Sequence, residues 1–380
     1  MPVREFVKSS FIYLEIRETS LSEVVVYANT DYLYTVFENC RNKLLASKQK
    51  ESKAYFVLET ELDKQPIELM ECYYNSAGNN NLVRNLIFKN GRVGIASYKD
   101  RFFMSQNISK AFTFLNLAEP EAHLPAIPLQ YNKRKLKKHF KLTLITLYDK
   151  ENPVYHIAFA PFDTSSCFRG EAWIEKNSGD LKKIILKIYN TTEHPFLPVM
   201  KDFGEIKNAS MQITKTFATY TGENLLSHID FNYQLNYRHI HSSAFKNENR
   251  DTVLEVGSKG LMYFYDYENP FISPYFDYDT EQSDYRKISF LSYNESFWTN
   301  NTGLVYSEKM KKGINYFRAN GQLINYKAKS LNISKEQETA WGYETNYIEW
   351  SAKKRISLKK NNLNMIPFPT TRISWPTATT

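Results

Sequence analysis

The chain has 380 residues, with 49 Lys plus Arg against 41 Asp plus Glu, so its formal net charge is +8. Aromatic residues make up 15% of it, whereas Gly (13) and Pro (14) are sparse. This composition excludes a collagen-like, low-complexity or wholly disordered protein. The three cysteines, Cys40, Cys72 and Cys167, exclude a disulfide-rich miniprotein and a CxxC zinc ribbon, but leave open one disulfide or three free thiols.

The positive charge is concentrated in short basic runs at 133–138, 309–312 and 353–355. We interpret these runs as solvated turns and strand ends, with contact to the phosphates of nucleic acid or lipid as the alternative. The chain has no RRM, zinc-finger or helix-turn-helix pattern, so no nucleic-acid partner is predicted. No apolar run reaches the length of a transmembrane helix, and the first 20 residues show no signal-peptide pattern.

The N-terminal part is predicted to contain strands and then one long helix. Residues 11–28 alternate as strands do, and the run at 23–27 is strongly β-forming. Asn29 or Thr30 then caps an amphipathic helix that extends to about Ser47. Apolar residues recur at helical spacing along it, at Leu33, Val36, Phe37, Cys40, Leu44 and Leu45.

From residue 54 the apolar period changes to two, which predicts a series of strands. The Asn90 and Gly91 pair is the strongest hairpin signal and predicts a turn between two of them. A short helix is predicted near 110–117. The strands are predicted at 54–62, 67–76, 81–90, 91–98, 141–148, 154–160, 169–176, 182–189, 209–220, 225–241 and 252–267. Their even spacing favours a mainly β fold, a large curved antiparallel sheet or half-barrel.

After Asn269 the strand pattern gives way to an irregular, aromatic-rich C-terminal segment, and residues 331–380 are predicted to be weakly ordered. The rings and hydroxyl groups of this region suit contact with a sugar, a lipid or a peptide, and internal packing of the rings is the alternative. The candidate ligand-binding residues are Tyr263, Tyr265, Tyr275, Tyr278, Tyr293 and Trp298.

Candidate catalytic chemistry is limited to one histidine pair. His239 and His241 are two residues apart, so both imidazoles point to the same face of a strand and form a candidate metal site, with Glu255 or Asp266 as a third ligand. GxSxG, SxxK, HExxH and P-loop patterns are absent, so no catalytic residue and no cofactor is predicted. Cys167 lies near Arg169, but we interpret it as a small buried hydrophobic residue rather than a reactive thiol.

Several segments together resemble one family. Residues 21–28 resemble an LxEVVV junction, residues 168–175 resemble an FxGxxWID strand, and residues 293–301 resemble a YNExFWxNN segment. These features are similar to the Bacteroidetes cell-envelope proteins called carboxypeptidase-like regulatory domain-containing proteins, in which a β-sandwich precedes a β-rich domain of unknown function. The resemblance spans about residues 12–325 and implies no peptidase site, since the HxxE zinc pattern is missing.

The resemblance implies a domain organisation and a location. Residues 1–28 correspond to the last strands of a preceding sandwich, 29–50 to a connecting helix, 51–330 to the β-rich domain and 331–380 to a tail. It implies a periplasmic or outer-membrane protein, with peripheral membrane association as an option and a lipid, a glycan or an envelope protein as partner.

The function predicted from the sequence is that of a non-enzymatic envelope module that binds an amphipathic ligand or a partner protein. Two alternatives stay open. One is a metal-dependent hydrolase that uses His239 and His241. The other is a structural scaffold whose strand at 11–28 pairs with another chain.

Overall fold

The computed structural model describes the greater part of the chain. The described residues are 30–98, 101–102, 104–105, 109–113, 115–121, 124–148, 152–164, 166–198, 204–239, 253–272, 284–289, 291–301, 308–319, 323–324 and 342–344. The predicted strands at 11–28 and nearly all of the predicted tail at 331–380 lie outside them. The predicted division into four segments therefore stays a prediction.

Eleven antiparallel strands form one open curved sheet, which confirms the predicted mainly β fold. The strands are β1 Lys50–Leu62, β2 Gln65–Gly78, β3 Val83–Ile95, β4 Phe140–Tyr148, β5 Val154–Pro161, β6 Arg169–Glu175, β7 Leu181–Thr191, β8 Gly204–Tyr220, β9 Glu223–His239, β10 Val253–Tyr265 and β11 Leu323–Ile324. Their order is β11-β3-β2-β1-β10-β9-β8-β7-β6-β5-β4. Two meanders, β1 to β3 and β4 to β10, are thus joined by the pairing of β1 with β10.

Among the described residues, helices lie before the first meander, in the connection between the two meanders and after β10. The first, α1, spans Asp31–Ala46 and confirms the predicted N-terminal helix. The others are α2 Ser109–Thr113, α3 Lys133–His139, α4 Asp284–Ser289, α5 Glu295–Asn300 and α6 Glu308–Ala319. The last three are short helices within the C-terminal segment, which the sequence predicted to be irregular. Within the described part of the chain, no helix has the length and apolar character needed to cross a membrane.

Hydrophobic residues pack on both faces of the sheet, because successive side chains of a strand point to opposite faces. The face that carries Phe56 of β1 is here called the inner face, and it packs against Leu33 and Phe37 of α1 and Phe112 of α2. The opposite, outer face carries Tyr55, and at β1, β2 and β3 it is covered by a second core. That core includes Val57, Leu69, Tyr73, Phe271, Trp298, Ile314 and Phe317.

The predicted turn at Asn90 and Gly91 is wrong, because β3 continues through both residues. Gly91 pairs with Cys72 of β2, and a Cβ at this position would come within 2.9 Å of the Ile288 side chain and 3.0 Å of the Cys72 Sγ. The glycine is therefore required by close packing of α4 on the strand rather than by a turn.

All three cysteines are free and buried. Burial raises the pKa of the Cys40, Cys72 and Cys167 thiols above the ordinary range, since the thiolate loses its hydration there. The interpretation of Cys167 as a buried hydrophobic residue is confirmed.

Candidate ligand-binding site

A cavity of about 460 Å³ opens where α1 ends above the inner face of the sheet. Strand ends and turns from both meanders meet there. Its apolar lining includes Val83, Leu226 and Phe264, and its polar lining includes Ser47, Ser52, Ser76, Asn79, Asn80, Asn224, Lys43, Lys48 and Lys50. A volume of this size lies within the range of small-molecule sites, roughly 300–1,000 Å³.

The β8–β9 hairpin supplies one wall of the cavity. Tyr220 pairs with Glu223, so the loop between the strands consists of Thr221 and Gly222 alone. Their φ angles are +47° and +84°, and positive φ at both central positions is the requirement of a type I′ turn. This tight turn fixes the register of β9 and so places Glu223 and Leu226 in the cavity lining.

Hydrogen bonds hold the walls of the cavity together. The Asn80 Nδ2 donates to the backbone oxygen of Asn224 at 2.7 Å, and the Asn79 Nδ2 donates to that of Ser47 at 3.2 Å. The hydroxyl of Tyr267 donates to the backbone oxygen of Leu226. Because these bonds link the turn after β2 to both α1 and β9, the cavity is preformed rather than created by a ligand.

The rim of the cavity carries three lysines, Lys43, Lys48 and Lys50. Lys43 and Lys50 form salt bridges with carboxylates. The Lys43 Nζ lies 2.8 Å from an Asp180 carboxylate oxygen. The Lys50 Nζ lies 2.8 Å from Glu268 and 3.0 Å from Glu223, and these two carboxylates raise the Lys50 pKa. Lys48 is exposed and makes no salt bridge within the described ranges. The rim lysines therefore contact three carboxylates, Asp180, Glu223 and Glu268, which leaves Lys48 as the rim lysine outside these salt bridges.

The aromatic candidates lie elsewhere on the molecule. Tyr263 and Tyr265 are on the outer face of β10 with their rings stacked, 5.8 Å between centroids. Tyr265 and Tyr293 pack against the second core, and Trp298 is buried in it. None of these four lines the cavity. Tyr275 and Tyr278 lie outside the described residues, and the ligand-binding role of all six stays a prediction.

The Trp298 ring has a structural partner in the second core. The Arg92 guanidinium lies 4.2 Å from the ring centroid, and its Nε is 2.6 Å from the buried Glu71 carboxylate. The Tyr55 hydroxyl donates to the other Glu71 oxygen at 2.8 Å. This chain of contacts fixes α5 on the outer face of β2 and β3.

The histidine pair cannot be placed as a site. His239 is the last residue of β9 and pairs with Gly204, but its side chain and the whole of His241 lie outside the described residues. Asp266, one candidate third ligand, accepts instead from the Lys53 Nζ at 2.9 Å. No group of three or more His, Cys, Asp or Glu suited to a metal occurs among the residues described. The metal site stays a prediction.

Sequence reasoning missed the cavity residues. The available signals were local: lysines at the end of the predicted helix and a glycine between two predicted strands, at Gly222. Nothing in either pattern indicated that segments near residues 45, 79 and 224 meet.

Comparison with known proteins assigns no family, since no family model and no curated protein matches the chain. The solved structures that match the chain include two with low sequence identity and a low TM-score. A DUF1329 family protein from Desulfovibrio piger is 8% identical, with 64% of this chain and 95% of that chain covered and a TM-score of 0.25. MucB in complex with MucA(peri) is 10% identical, with 61% and 92% covered and a TM-score of 0.18. TM-scores this low carry no inference about this chain.

Proposed function

We propose that the protein is a non-enzymatic binding module of the cell envelope, periplasmic or associated with the outer membrane, whose cavity holds an amphipathic ligand with an acidic head group. The observation that supports this ligand is the preformed cavity of about 460 Å³, which has Val83, Leu226 and Phe264 in its lining and lysines at its rim. The envelope location is supported by the sequence resemblance alone.

The lining suits a ligand that has an apolar tail and an acidic head group. An apolar tail that packs against Leu226 and Phe264 leaves water, which contributes about 25 cal/mol per Å² of apolar surface buried. An acidic head at the rim meets Lys48 directly, whereas Lys43 and Lys50 are held by carboxylates. Because these charges face solvent, the head-group contribution is expected to weaken as salt is added.

Filling the cavity tests the location of the site. Ala46 lines the cavity at the end of α1, so the Ala46→Trp variant places a large ring in it. Leu45 precedes it on the same helix, is exposed and does not line the cavity, so Leu45→Trp is the matched control. With laurate as the probe in titration calorimetry, we expect Ala46→Trp to weaken binding at least about tenfold, a loss of roughly 1.4 kcal/mol, and Leu45→Trp to leave it unchanged.

Reversing one charge tests the head group. Lys48→Glu is expected to weaken laurate binding about tenfold, or roughly 1.4 kcal/mol, and to leave binding of the uncharged dodecanol unchanged. Lys138→Glu, at an exposed lysine of α3 away from the cavity lining, is the control. Absence of laurate binding, or an equal effect of Lys48→Glu and Lys138→Glu, would contradict the proposal.

One observation favours the scaffold alternative as a second candidate function. Away from the cavity, the inner face is filled by side chains of α1 and of the connection between the meanders, such as Phe37 and Phe112. Deletion of residues 1–28 followed by size-exclusion chromatography tests it, since a scaffold that pairs through this segment loses its assembly. The hydrolase alternative is tested by metal analysis of the purified protein.

A further inference from the structure

A second groove, of about 370 Å³, crosses the outer face of the sheet and shares no lining residue with the cavity. Strand register places polar residues side by side along it in two rows. One row runs Gln212, Asn232, Lys259, Glu59, and the other runs Ser210, Gln234, Gly257, Glu61, across β8, β9, β10 and β1. Four strands about 4.8 Å apart give the groove a length of roughly 14 Å.

Gly257 forms part of the floor of this groove, and neither its conformation nor its packing requires a glycine. A Cβ built there meets no heavy atom within 4 Å, and its φ lies outside the left-handed region. Gly260 on the same strand differs, because a Cβ there would come 3.2 Å from Phe112. A glycine inside a strand weakens it and often marks a bulge, a tight bend or the close approach of a ligand or another backbone. The register of β10 with β9 and with β1 is continuous at Gly257, so no bulge lies there. What Gly257 supplies is open space between Gln234 and Glu61.

An exposed aromatic ring stands at one end of the groove. Tyr189 of β7 lines it and is 59% exposed. The Arg169 guanidinium lies 5.7 Å from the centroid of this ring. An exposed tyrosine ring next to a row of amides can pack against the C–H face of a sugar ring while the amides bind its hydroxyl groups.

We propose that this groove binds a short neutral oligosaccharide. Sugar hydroxyls both donate and accept, and the amides of Gln212, Asn232 and Gln234 offer a donor and an acceptor each. Lys259 and the carboxylates of Glu59 and Glu61 lie in the same rows, so the groove does not select strongly for an acidic sugar. An extended peptide is less suited, because these strands are central in the sheet and their backbone groups already pair with neighbouring strands.

Filling the gap at Gly257 is the direct test. The Gly257→Leu variant places a side chain in the groove, and its Cβ meets no heavy atom within 4 Å, so we expect it to melt at the wild-type temperature or higher. The probes are chitotriose, cellotriose and maltotriose in saturation-transfer NMR. We expect at least one to bind the wild type, and Gly257→Leu to weaken that binding at least tenfold.

Two further variants keep the proposal testable if Gly257→Leu fails to fold. Tyr189→Ala is expected to weaken the same sugar about tenfold. Tyr148→Ala, at an exposed tyrosine of β4 that does not line the groove, is expected to change nothing. Binding of none of the three sugars, equal effects of Tyr189→Ala and Tyr148→Ala, or a signal from trialanine in their place would overturn the proposal.

Discussion

Lys215 is a fully buried lysine on the inner face of β8, with 0% of its surface exposed. Its Nζ donates to the backbone oxygen of Asn81 at 3.0 Å and to that of Leu115. Burial lowers its pKa to about 7, because the ammonium loses its hydration. A neutral amine still has two N–H donors, which match these two carbonyls. Through Leu115, the lysine thus attaches the connection between the meanders to the sheet.

Because this amine is buried, the free energy of unfolding is expected to change with pH between about 7 and 10.5. Its folded pKa of about 7 lies below the unfolded value of 10.5, so its contribution is complete above pH 10.5 and is lost as the pH falls to about 7. At about 1.36 kcal/mol per pKa unit, the loss is on the order of 5 kcal/mol. We expect Lys215→Met to lack this slope when urea unfolding is measured across the window. A wild-type slope retained in the variant would contradict the assignment.

Glu68 provides a comparison, because its titration is expected to change the free energy of unfolding with pH in the direction opposite to that of Lys215. This buried carboxyl of β2 accepts from the Thr60 hydroxyl and the Ser105 backbone N–H, yet burial raises its pKa from 4.5 to about 7. Its contribution is complete below pH 4.5 and is lost as the pH rises to about 7. In Glu68→Gln we expect the acid-side slope to disappear while the alkaline slope of Lys215 stays.

At the scale of elements, the β8–β9 turn contains one unfavourable residue. Thr221 has a φ of +47°, which a β-branched residue rarely adopts, whereas Asn tolerates it. We expect Thr221→Asn to raise the free energy of unfolding by about 1 kcal/mol, measured by thermal denaturation. Thr219→Asn, inside the strand on an exposed position, is the control and is expected to lower it. A lower melting temperature for Thr221→Asn would argue against the turn geometry.

Elements whose pattern is local were predictable from the sequence. The apolar spacing along α1 predicted most of its buried face: Leu33, Phe37, Cys40 and Leu44 are buried. Leu45, which belongs to the same predicted stripe, is exposed. The alternation in β4 to β10 likewise located these strands. The turn expected at Asn90 failed because the glycine beside it meets Ile288, about 200 residues later in the sequence.

The candidate site was not predictable for a related reason. Lys48, Asn79 and Asn224 become neighbours only because β1 pairs with β10 as well as β2. Strand alternation tells which residues share a face, but it does not tell which strands are adjacent. Trp298, one of the aromatic residues predicted to bind a ligand, is buried in the second core, and this burial was not evident from the sequence.

At the scale of the whole molecule, the C-terminal segment stabilises the sheet through Trp298. Its ring packs against Tyr73 at 5.7 Å and against Arg92. We expect Trp298→Ala to lower the free energy of unfolding by about 3–5 kcal/mol, because it leaves a large void. Ile272→Ala, at a side chain 84% exposed, is the control and is expected to cost less than about 0.5 kcal/mol. Similar urea midpoints for the two variants would refute the role of the ring.

The pairing of β1 with β10, which joins the two meanders, has a consequence for biosynthesis. Residues 53–62 of β1 pair one to one with residues 256–265 of β10. After the first meander has left the ribosome, about 160 further residues must be synthesised before β10 is available to pair. Until then, β1 presents an open backbone edge beside Phe56 and Leu58, residues that are fully buried in the finished protein. The nascent chain therefore passes through a long interval in which pairing with the wrong strand competes with completion of the sheet.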